Sequence, residues 1–265
     1  MTGTGTADDP YIVDNWEEYS SMGSSAVIYA EFNPNAENKV IDFNEICPEG
    51  FSETVTFTRY TNFNGWTLRN FHSTAEKVVT TGVGGKIANL NFENFYWCPS
   101  STANTYLFYD SGSNGVKMTN CIISGQIQAP NKINSVIVGG LYESSLNIIA
   151  NANDTFMVAR NFINSDIVLD ISSKSVSLCL SKIINSRISG RIQSDETVSA
   201  GSEESAYNVF NIQSNQPFDY QGKGISVYNS DISSSVASES FKGCTAEQLR
   251  DAKYLYDLRF PIGVD

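Results

Sequence analysis

Three aspartates occupy related positions in the chain and could supply paired carboxyl groups for acid–base chemistry. Asp166 and Asp231 each follow an Asn-Ser pair, and Asp170 lies four residues beyond Asp166. Hydrolysis of a glycosidic bond needs two carboxyl groups about 5 to 10 Å apart. The equivalent position between the two Asn-Ser-Asp segments holds Arg187, which interrupts an acidic row. We therefore predict no catalytic residues and keep a polysaccharide hydrolase or lyase as the enzymatic alternative.

The residue content disfavours other kinds of chemical site. His72 is the only histidine, so any triad and any metal cluster that needs two histidines is excluded. No P-loop, GxSxG or dinucleotide-binding motif occurs. The cysteines are widely spaced without a CxxC pair, so we expect small buried side chains and predict no metal and no cofactor. They are Cys47, Cys98, Cys121, Cys179 and Cys244.

The charge and composition narrow the classes of partner. The formal net charge is −12 and the isoelectric point is about 4.5. Binding to nucleic-acid phosphates, to an anionic polysaccharide or to an acidic membrane needs clustered Lys and Arg, and no basic run exists, which disfavours all three. We therefore expect no direct nucleic-acid partner and no membrane association. Only 17% of residues are charged while 41% are hydrophobic, which favours a packed core with a surface of Ser, Asn and Thr.

A short phrase recurs along the chain: an apolar residue, any residue, Asn, then a small or apolar residue. Most steps between its third positions are 19 to 23 residues, with Glu143 once in the Asn position, and alternating polar and apolar residues follow. This period predicts an all-β, single-stranded right-handed parallel β-helix, a solenoid with coils of about 20 to 23 residues. The recurring asparagines are Asn70, Asn89, Asn120, Asn164, Asn185 and Asn229.

These asparagines have a structural explanation in a solenoid. A sharp turn between two strands often places one residue in the left-handed conformation, which Asn tolerates better than other residues except Gly. Coils about 4.8 Å apart also allow equivalent amides to hydrogen-bond in a ladder. We predict a structural Asn ladder, with a sugar-binding row of asparagines as the alternative.

The chain divides into three predicted segments. They are an N-terminal cap at residues 1–30, the parallel β-helix at 31–243, and a C-terminal helix and tail at 244–265. The long step from Asn89 to Asn120 predicts an insertion of roughly ten residues near residues 98–114, which contain turn-forming residues. The acidic segment at residues 194–205 is predicted to form a loop outside the coils.

Both ends carry helix-capping signals. Asp14 and Glu17 fit a capping box that begins a short helix, with Trp16 and Tyr19 facing the core. Residues 245–248 fit a second capping box, which begins a predicted helix through about Leu258. We interpret this helix as an end cap, with docking of a partner as the alternative. The candidate docking residues are Leu249, Tyr254 and Tyr256.

The two ends also carry a resemblance to known proteins. Residues 3–13 (GTGTADDPYIV) followed by 16–19 (WEEY) resemble the entry to β-helix domains in virion proteins of phages that infect gut bacteria, and in some bacterial surface proteins. Residues 249–255 (LRDAKYL) followed by 260–263 (FPIG) resemble the tail of such phage proteins. The chain thus resembles β-helix virion surface proteins of tailed bacteriophages.

This resemblance implies a non-catalytic structural protein on a phage virion: a capsid decoration, a fibre or an auxiliary component. The implied partners are other virion proteins, with host surface glycans and a homo-oligomer such as a trimer left open. The lack of a signal peptide favours synthesis in the host cytoplasm and location in the virion. Tail spikes usually carry a separate particle-attachment domain, whereas here the cap begins near Met1. A tail-spike-like depolymerase and a glycan-binding adhesin are the alternatives.

Overall fold

Parallel strand pairing between successive coils dominates the computed structural model of the protein. The structure describes residues 1–22, 28–100, 105–110, 112, 115–216, 218–222, 226–229, 241–245 and 247–258. The coils form a β-solenoid of about nine turns. The predicted parallel β-helix is confirmed.

The strands form three faces, which we name A, B and C in their order within a coil. Face A contains Tyr11–Val13, Tyr29–Phe32, Tyr60–Asn62, Lys86–Ala88, Val116–Thr119 and the last residues of Ser135–Tyr142, Ser145–Ile163 and Asp166–Ile184. Face B contains Val40–Asp42, Thr67–Arg69, His72–Ser73, Asn91–Trp97, Ile122–Ala129, the first residues of Ser145–Ile163 and Asp166–Ile184, Arg187–Ser194, Val209–Ser214, Ser226–Asn229 and Phe241–Cys244. Face C contains Val55–Thr56, Lys77–Thr81, Tyr106–Asp110, the start of Ser135–Tyr142, the middle of both 19-residue strands, Val198–Ala200 and Phe218–Tyr220.

Inward-facing side chains stack in columns through the coils. Because strand residues alternate between the two sides of a sheet, equivalent inward positions of successive coils lie one above another. The column under face B is apolar in eight successive coils, and each of these eight residues is 5% exposed or less. It consists of Ile41, Leu68, Phe92, Ile123, Leu146, Ile167, Ile188 and Phe210. Burial of each such side chain stabilises the fold by about 1.5–3 kcal/mol, so the column joins the coils into one core.

The corner between faces A and B requires a left-handed backbone. The residues at this corner have φ values between 48° and 59°, and they are Asn64, Asn89, Asn120, Glu143, Asn164, Asn185 and Tyr207. Asn89 Nδ2 donates to Asn62 Oδ1 at 2.8 Å, and Asn120 Nδ2 donates to Asn89 Oδ1 at 2.6 Å. Asn185 Nδ2 donates to Asn164 Oδ1 at 3.0 Å. The amide ladder therefore has two segments, with Glu143 at the corner between them.

Asn70 and Asn229 lie outside this corner. Asn70 follows the face B strand Thr67–Arg69. Its Nδ2 donates to Asp42 Oδ1 at 2.8 Å, and its Oδ1 accepts from Asn94 Nδ2 at 2.6 Å. Asn70 and Asn94 also have positive φ and mark a bend within face B, so the step of 19 residues from Asn70 to Asn89 is not a coil repeat. Asn229 ends the face B strand Ser226–Asn229, and its side chain lies outside the described residues.

A buried serine ladder runs beside the asparagine corner. Serines follow three of the corner positions, and each accepts a hydrogen bond from the backbone of the preceding coil. Ser144 Oγ accepts from Cys121 N at 3.0 Å, Ser165 Oγ from Ser144 N at 3.4 Å, and Ser186 Oγ from Ser165 N at 3.2 Å. Each of these hydroxyls also donates within its own coil, as Ser186 does to Ile184 O at 2.9 Å. The recurring Asn-Ser pair thus satisfies buried backbone groups that the turn removes from the strand ladder.

Helices cover both ends of the solenoid. The helix Trp16–Ser21 begins one residue later than the sequence suggested, because Asn15 caps Glu18 N at 2.9 Å and Glu18 accepts from Asp14 N at 3.0 Å. Trp16 and Tyr19 are buried, as expected. Asp42 caps a second short helix, Phe43–Ile46.

The C-terminal helix is shorter than the sequence predicted. The capping box is present, since Gln248 N donates to Thr245 Oγ1 at 3.1 Å and Thr245 N donates to Gln248 Oε1 at 2.8 Å. It leads only into the 3-10 helix Gln248–Arg250. Asp251 then adopts an extended conformation and caps a separate helix, Ala252–Asp257.

The acidic segment at residues 194–205 does not form a loop outside the coils. Val198–Ala200 is a strand of face C that pairs with Phe218–Tyr220, and Val198 and Ala200 are buried. The sequence predicted a loop because acidic residues surround this strand, although its apolar side chains lie at alternate positions, as in a strand with one buried side. The extra length between Asn89 and Asn120 lies mainly between faces C and A: Val116 follows Phe108 by eight residues, whereas the paired Gly139 follows Ile137 by two.

The corner geometry predicts different costs for two substitutions of Asn120. Asn120→Gly removes the amide ladder but retains the left-handed turn, whereas Asn120→Ala also imposes a Cβ on that turn. We expect both variants to unfold at lower urea concentration than the wild type, and Ala to be less stable than Gly by about 1 kcal/mol. Equal stability of the two variants would show that the φ value is not the reason for Asn at this position.

A pH effect follows from the hydrogen bonds to Asp42. Donation from Asn70 above all, then from Asn44 N and Arg69, lowers the pKa of Asp42. A carboxyl whose pKa is lower in the folded than in the unfolded state stabilises the fold above its unfolded pKa, and this contribution is lost as pH falls through the folded value. We expect Asp42→Asn to reduce the loss of stability between about pH 5 and pH 2, measured by urea unfolding. Arg69→Gln should reduce that loss less.

Candidate ligand-binding face

An open groove of about 270 Å³ crosses face B on its outward side. One set of its side chains occupies the same position in five successive coils, and we name this set the Tyr96 row. It consists of Tyr96, Gln126, Ile149, Asp170 and Arg191. Since neighbouring strands lie about 4.8 Å apart, the row is about 19 Å long. A second row two residues further along the strands contributes Gln128, Asn151, Ser172 and Gln193.

Apolar side chains are exposed in this groove. Tyr96 is 40% exposed and Ile149 is 55% exposed, on a face whose inward residues are fully buried. The ring of His72, one coil before, contacts the Tyr96 ring edge-on at 6.0 Å. Burial is the main cause that raises the pKa of Tyr96, and the neighbouring Cys98 raises it further. The Tyr96 hydroxyl is therefore protonated and can donate at neutral pH. The groove thus offers an aromatic ring and an aliphatic side chain to a ligand.

The aspartates considered for the enzymatic alternative do not form a catalytic pair among the described residues. Asp170 accepts two hydrogen bonds from Arg191, from Nε at 3.1 Å and from Nη2 at 3.2 Å. Asp166 lies four residues earlier on the same strand, about 13 Å away, which exceeds the separation for glycoside hydrolysis. Asp166 is opposite Arg187 in the next coil, so both aspartates face a cation. Asp231 lies outside the described residues.

The corner asparagines line a second open groove, of about 340 Å³. Asn64, Asn89, Asn91 and Asn120 contribute to its lining. The amides of Asn89 and Asn120 are hydrogen-bonded to their neighbours in the ladder. Since these groups already satisfy one another, their arrangement favours a structural role over a sugar-binding one.

The candidate docking residues of the C-terminal segment divide into two kinds. Leu249 and Tyr254 pack against buried Val227 and Cys244 at the end of the solenoid. Tyr256 is 70% exposed. The segment therefore covers the last described coil, and Tyr256 is the residue of this set that a partner could contact.

The cysteines are free thiols, and three of them are buried. Burial raises the pKa of Cys121 to about 11, of Cys179 to about 12 and of Cys244 to about 11, which keeps these thiols protonated. Across the described part of the chain, no three His, Cys, Asp or Glu side chains are placed to hold a metal ion. Within the same residues, no helix is long and apolar enough to cross a membrane.

The groove has the chemistry of a site for a polar ligand with apolar faces. Amide, hydroxyl, carboxylate and guanidinium groups alternate along it, and together they can donate to and accept from hydroxyl groups. Tyr96 and Ile149 add contact area at two positions. A sugar chain has both features, since its hydroxyls surround apolar C–H surfaces.

Sequence reasoning did not identify the Tyr96 row. Its members are of five different types, so no repeated motif marks them, and Asn94 adds a residue between Phe92 and Phe95 that shifts the register. A signal was present nonetheless: Gln126, Ile149, Asp170 and Arg191 each lie six residues after a corner position. No protein-family model matches the chain, and no curated protein or solved structure matches it significantly.

The ion pair in the groove should contribute little to stability. Asp170 and Arg191 are about half exposed, and exposed pairs stabilise proteins by about 0.2–1 kcal/mol. We expect Asp170→Asn and Arg191→Gln each to change the free energy of unfolding by less than about 1 kcal/mol, measured by urea denaturation. A much larger loss would identify the pair as part of the structural framework of face B.

Proposed function

We propose that the protein is a non-catalytic structural protein on the surface of a bacteriophage virion that contacts host surface glycans through face B. The observation that carries the glycan part is the Tyr96 row, which places an exposed ring, an aliphatic side chain and planar polar groups along one line. Aromatic contact together with convergent hydrogen-bonding groups is what binds polar ligands with apolar faces.

The rigidity of the scaffold supports this proposal. Every member of the row lies on a strand whose backbone is hydrogen-bonded to coils on both sides. The binding groups therefore lose little conformational freedom when a ligand arrives, which increases affinity without further contacts. A capsid decoration, fibre or auxiliary virion component that meets a cell surface needs such a stable, extended surface.

The virion part rests on the resemblance of residues 3–19 and 249–263 to the ends of phage β-helix proteins. Its test is mass spectrometry of purified phage particles from the source of this gene. We expect peptides of this chain in intact virions, at a level typical of a structural protein. Their absence from virions, with the protein present in infected cells, would overturn this part.

The glycan part is tested by screening the purified protein on an array of bacterial surface glycans. We expect binding that Tyr96→Ala and Gln126→Ala each weaken by about tenfold, because a central aromatic contact or a paired hydrogen bond is worth more than 1 kcal/mol. Tyr256→Ala, which removes an exposed tyrosine from the C-terminal helix, is the matched control and should bind as the wild type does.

Two results would contradict the proposal. Binding that is unchanged in Tyr96→Ala and Gln126→Ala would place the glycan elsewhere. Release of shorter fragments from a bound polysaccharide, lost in Asp166→Asn or Asp170→Asn, would replace a non-catalytic role with a depolymerase.

A further inference from the structure

Face A carries an outward row of aromatic and basic side chains. Tyr29, Tyr60, Lys86 and Lys117 occupy the same position in four successive coils, and we name them the lysine row. The rings of Tyr29 and Tyr60 are stacked, with centroids 4.3 Å apart and planes 11° from parallel. Lys86 and Lys117 follow them and are exposed, so this strip of the surface presents two rings and then two cations.

Aromatic rings flank the two lysines. Lys86 Nζ lies 5.2 Å from the centroid of the Tyr60 ring, and Lys117 Nζ lies 4.6 Å from that of Tyr142. Tyr142 is two residues after Gly140, the residue that pairs with Lys117 in the next coil. A Cβ at Gly140 would lie 3.1 Å from the Tyr142 ring, so the ring lies over the glycine, beside the lysine. Contacts with ring faces hold the ammonium groups at the surface.

The charges of this row are unusual for the protein. The chain has a net charge of −12, yet Lys86 and Lys117 are neighbours in adjacent coils, about 4.8 Å apart at the backbone. Among the described residues, neither ammonium group lies within 4.0 Å of a carboxylate. Glu31 lines the groove of about 160 Å³ beside Tyr60 and Lys86 without forming such a contact. The two like charges are therefore left to repel each other.

Lys182 provides a contrast within the same line of positions. Gly140 pairs with Asn161 in the next coil, and Asn161 pairs with Lys182 in the coil after that. Lys182 therefore occupies the same line of positions three coils beyond Lys117. It forms an ion pair with Glu204. The cation that has a carboxylate partner is thus separated from the two that do not.

We propose that face A binds an anionic polysaccharide, whose carboxylate or phosphate groups contact Lys86 and Lys117 while its sugar units contact the neighbouring tyrosine pair, Tyr29 and Tyr60. An anion between the two lysines removes their repulsion and forms charge-assisted hydrogen bonds with both. A polysaccharide fits better than nucleic acid because of its lower charge density. Duplex DNA carries one charge per about 1.7 Å, so the acidic remainder of the protein repels it more strongly. This site is separate from the Tyr96 row and does not depend on the function proposed for face B.

The test is binding of purified protein to immobilised polymers at about 50 mM and about 200 mM salt. The probes are polygalacturonate for carboxylates, a polyglycerol-phosphate teichoic acid for phosphates, dextran as the neutral polymer, and duplex DNA. We expect binding to one or both anionic polymers that carry sugar or glycerol units, weaker at high salt, and no binding to dextran. Preference between the first two identifies the anionic group.

The decisive variant is Lys86→Gln with Lys117→Gln, which should weaken binding to the preferred polymer by at least about tenfold. Lys182→Gln removes one positive charge of the same line and should bind as the wild type does. Tyr96→Ala should also retain this binding, which separates failure at face A from failure at face B. Circular dichroism and the thermal midpoint of each variant establish that it is folded. Unchanged binding by the double variant, equal loss in Lys182→Gln, or tighter binding to DNA than to either polymer would overturn the proposal.

Discussion

Parallel hydrogen bonding between one coil and the next is the constraint on which the rest of the structure depends. It fixes every residue above its equivalent at a spacing of about 4.8 Å, so each choice of side chain is also a choice of neighbour. Apolar residues stack from Ile41 to Phe210 under face B because an inward polar group would break the column. The same constraint allows the Asn120 amide to donate to that of Asn89, and Ser186 to accept from the coil before it.

The corner shows how much of the fold the sequence contains. A left-handed turn accepts few residue types, so Asn164 and Asn185 mark it in the sequence at the correct period. A serine follows three of the corner positions in the sequence, yet the partners of these serines belong to other coils, and the pairing needs the three-dimensional register. Asn70 was misplaced for a related reason. The corner and the bend within face B both need a left-handed residue, so a phrase built on Asn cannot distinguish them.

The candidate site was less predictable than the fold, and the reason is physical. Outward positions of a solenoid are not required to resemble one another, because their side chains do not share a packed core, and Tyr96, Gln126 and Ile149 can therefore occupy one row. Their alignment depends on the length of every corner, and one added residue at Asn94 changes which residues meet. Asp166 and Asp170 could be considered as paired carboxyl groups because they lie only four residues apart in the sequence. A strand separates residues four apart by about 13 Å, which distance along the sequence does not convey.

The same rigidity limits what the two outward surfaces can recognise. A flexible loop can adjust to a ligand, whereas groups on adjacent coils of faces A and B keep their spacing and cannot. Lys86 and Lys117 therefore extend from backbone positions at one fixed separation, and the Tyr96 row has its backbone positions at multiples of that same step. A ligand gains from several coils at once only if its own repeat matches this step along the solenoid axis. Extended polymers with regular units meet that condition, and small compact molecules do not.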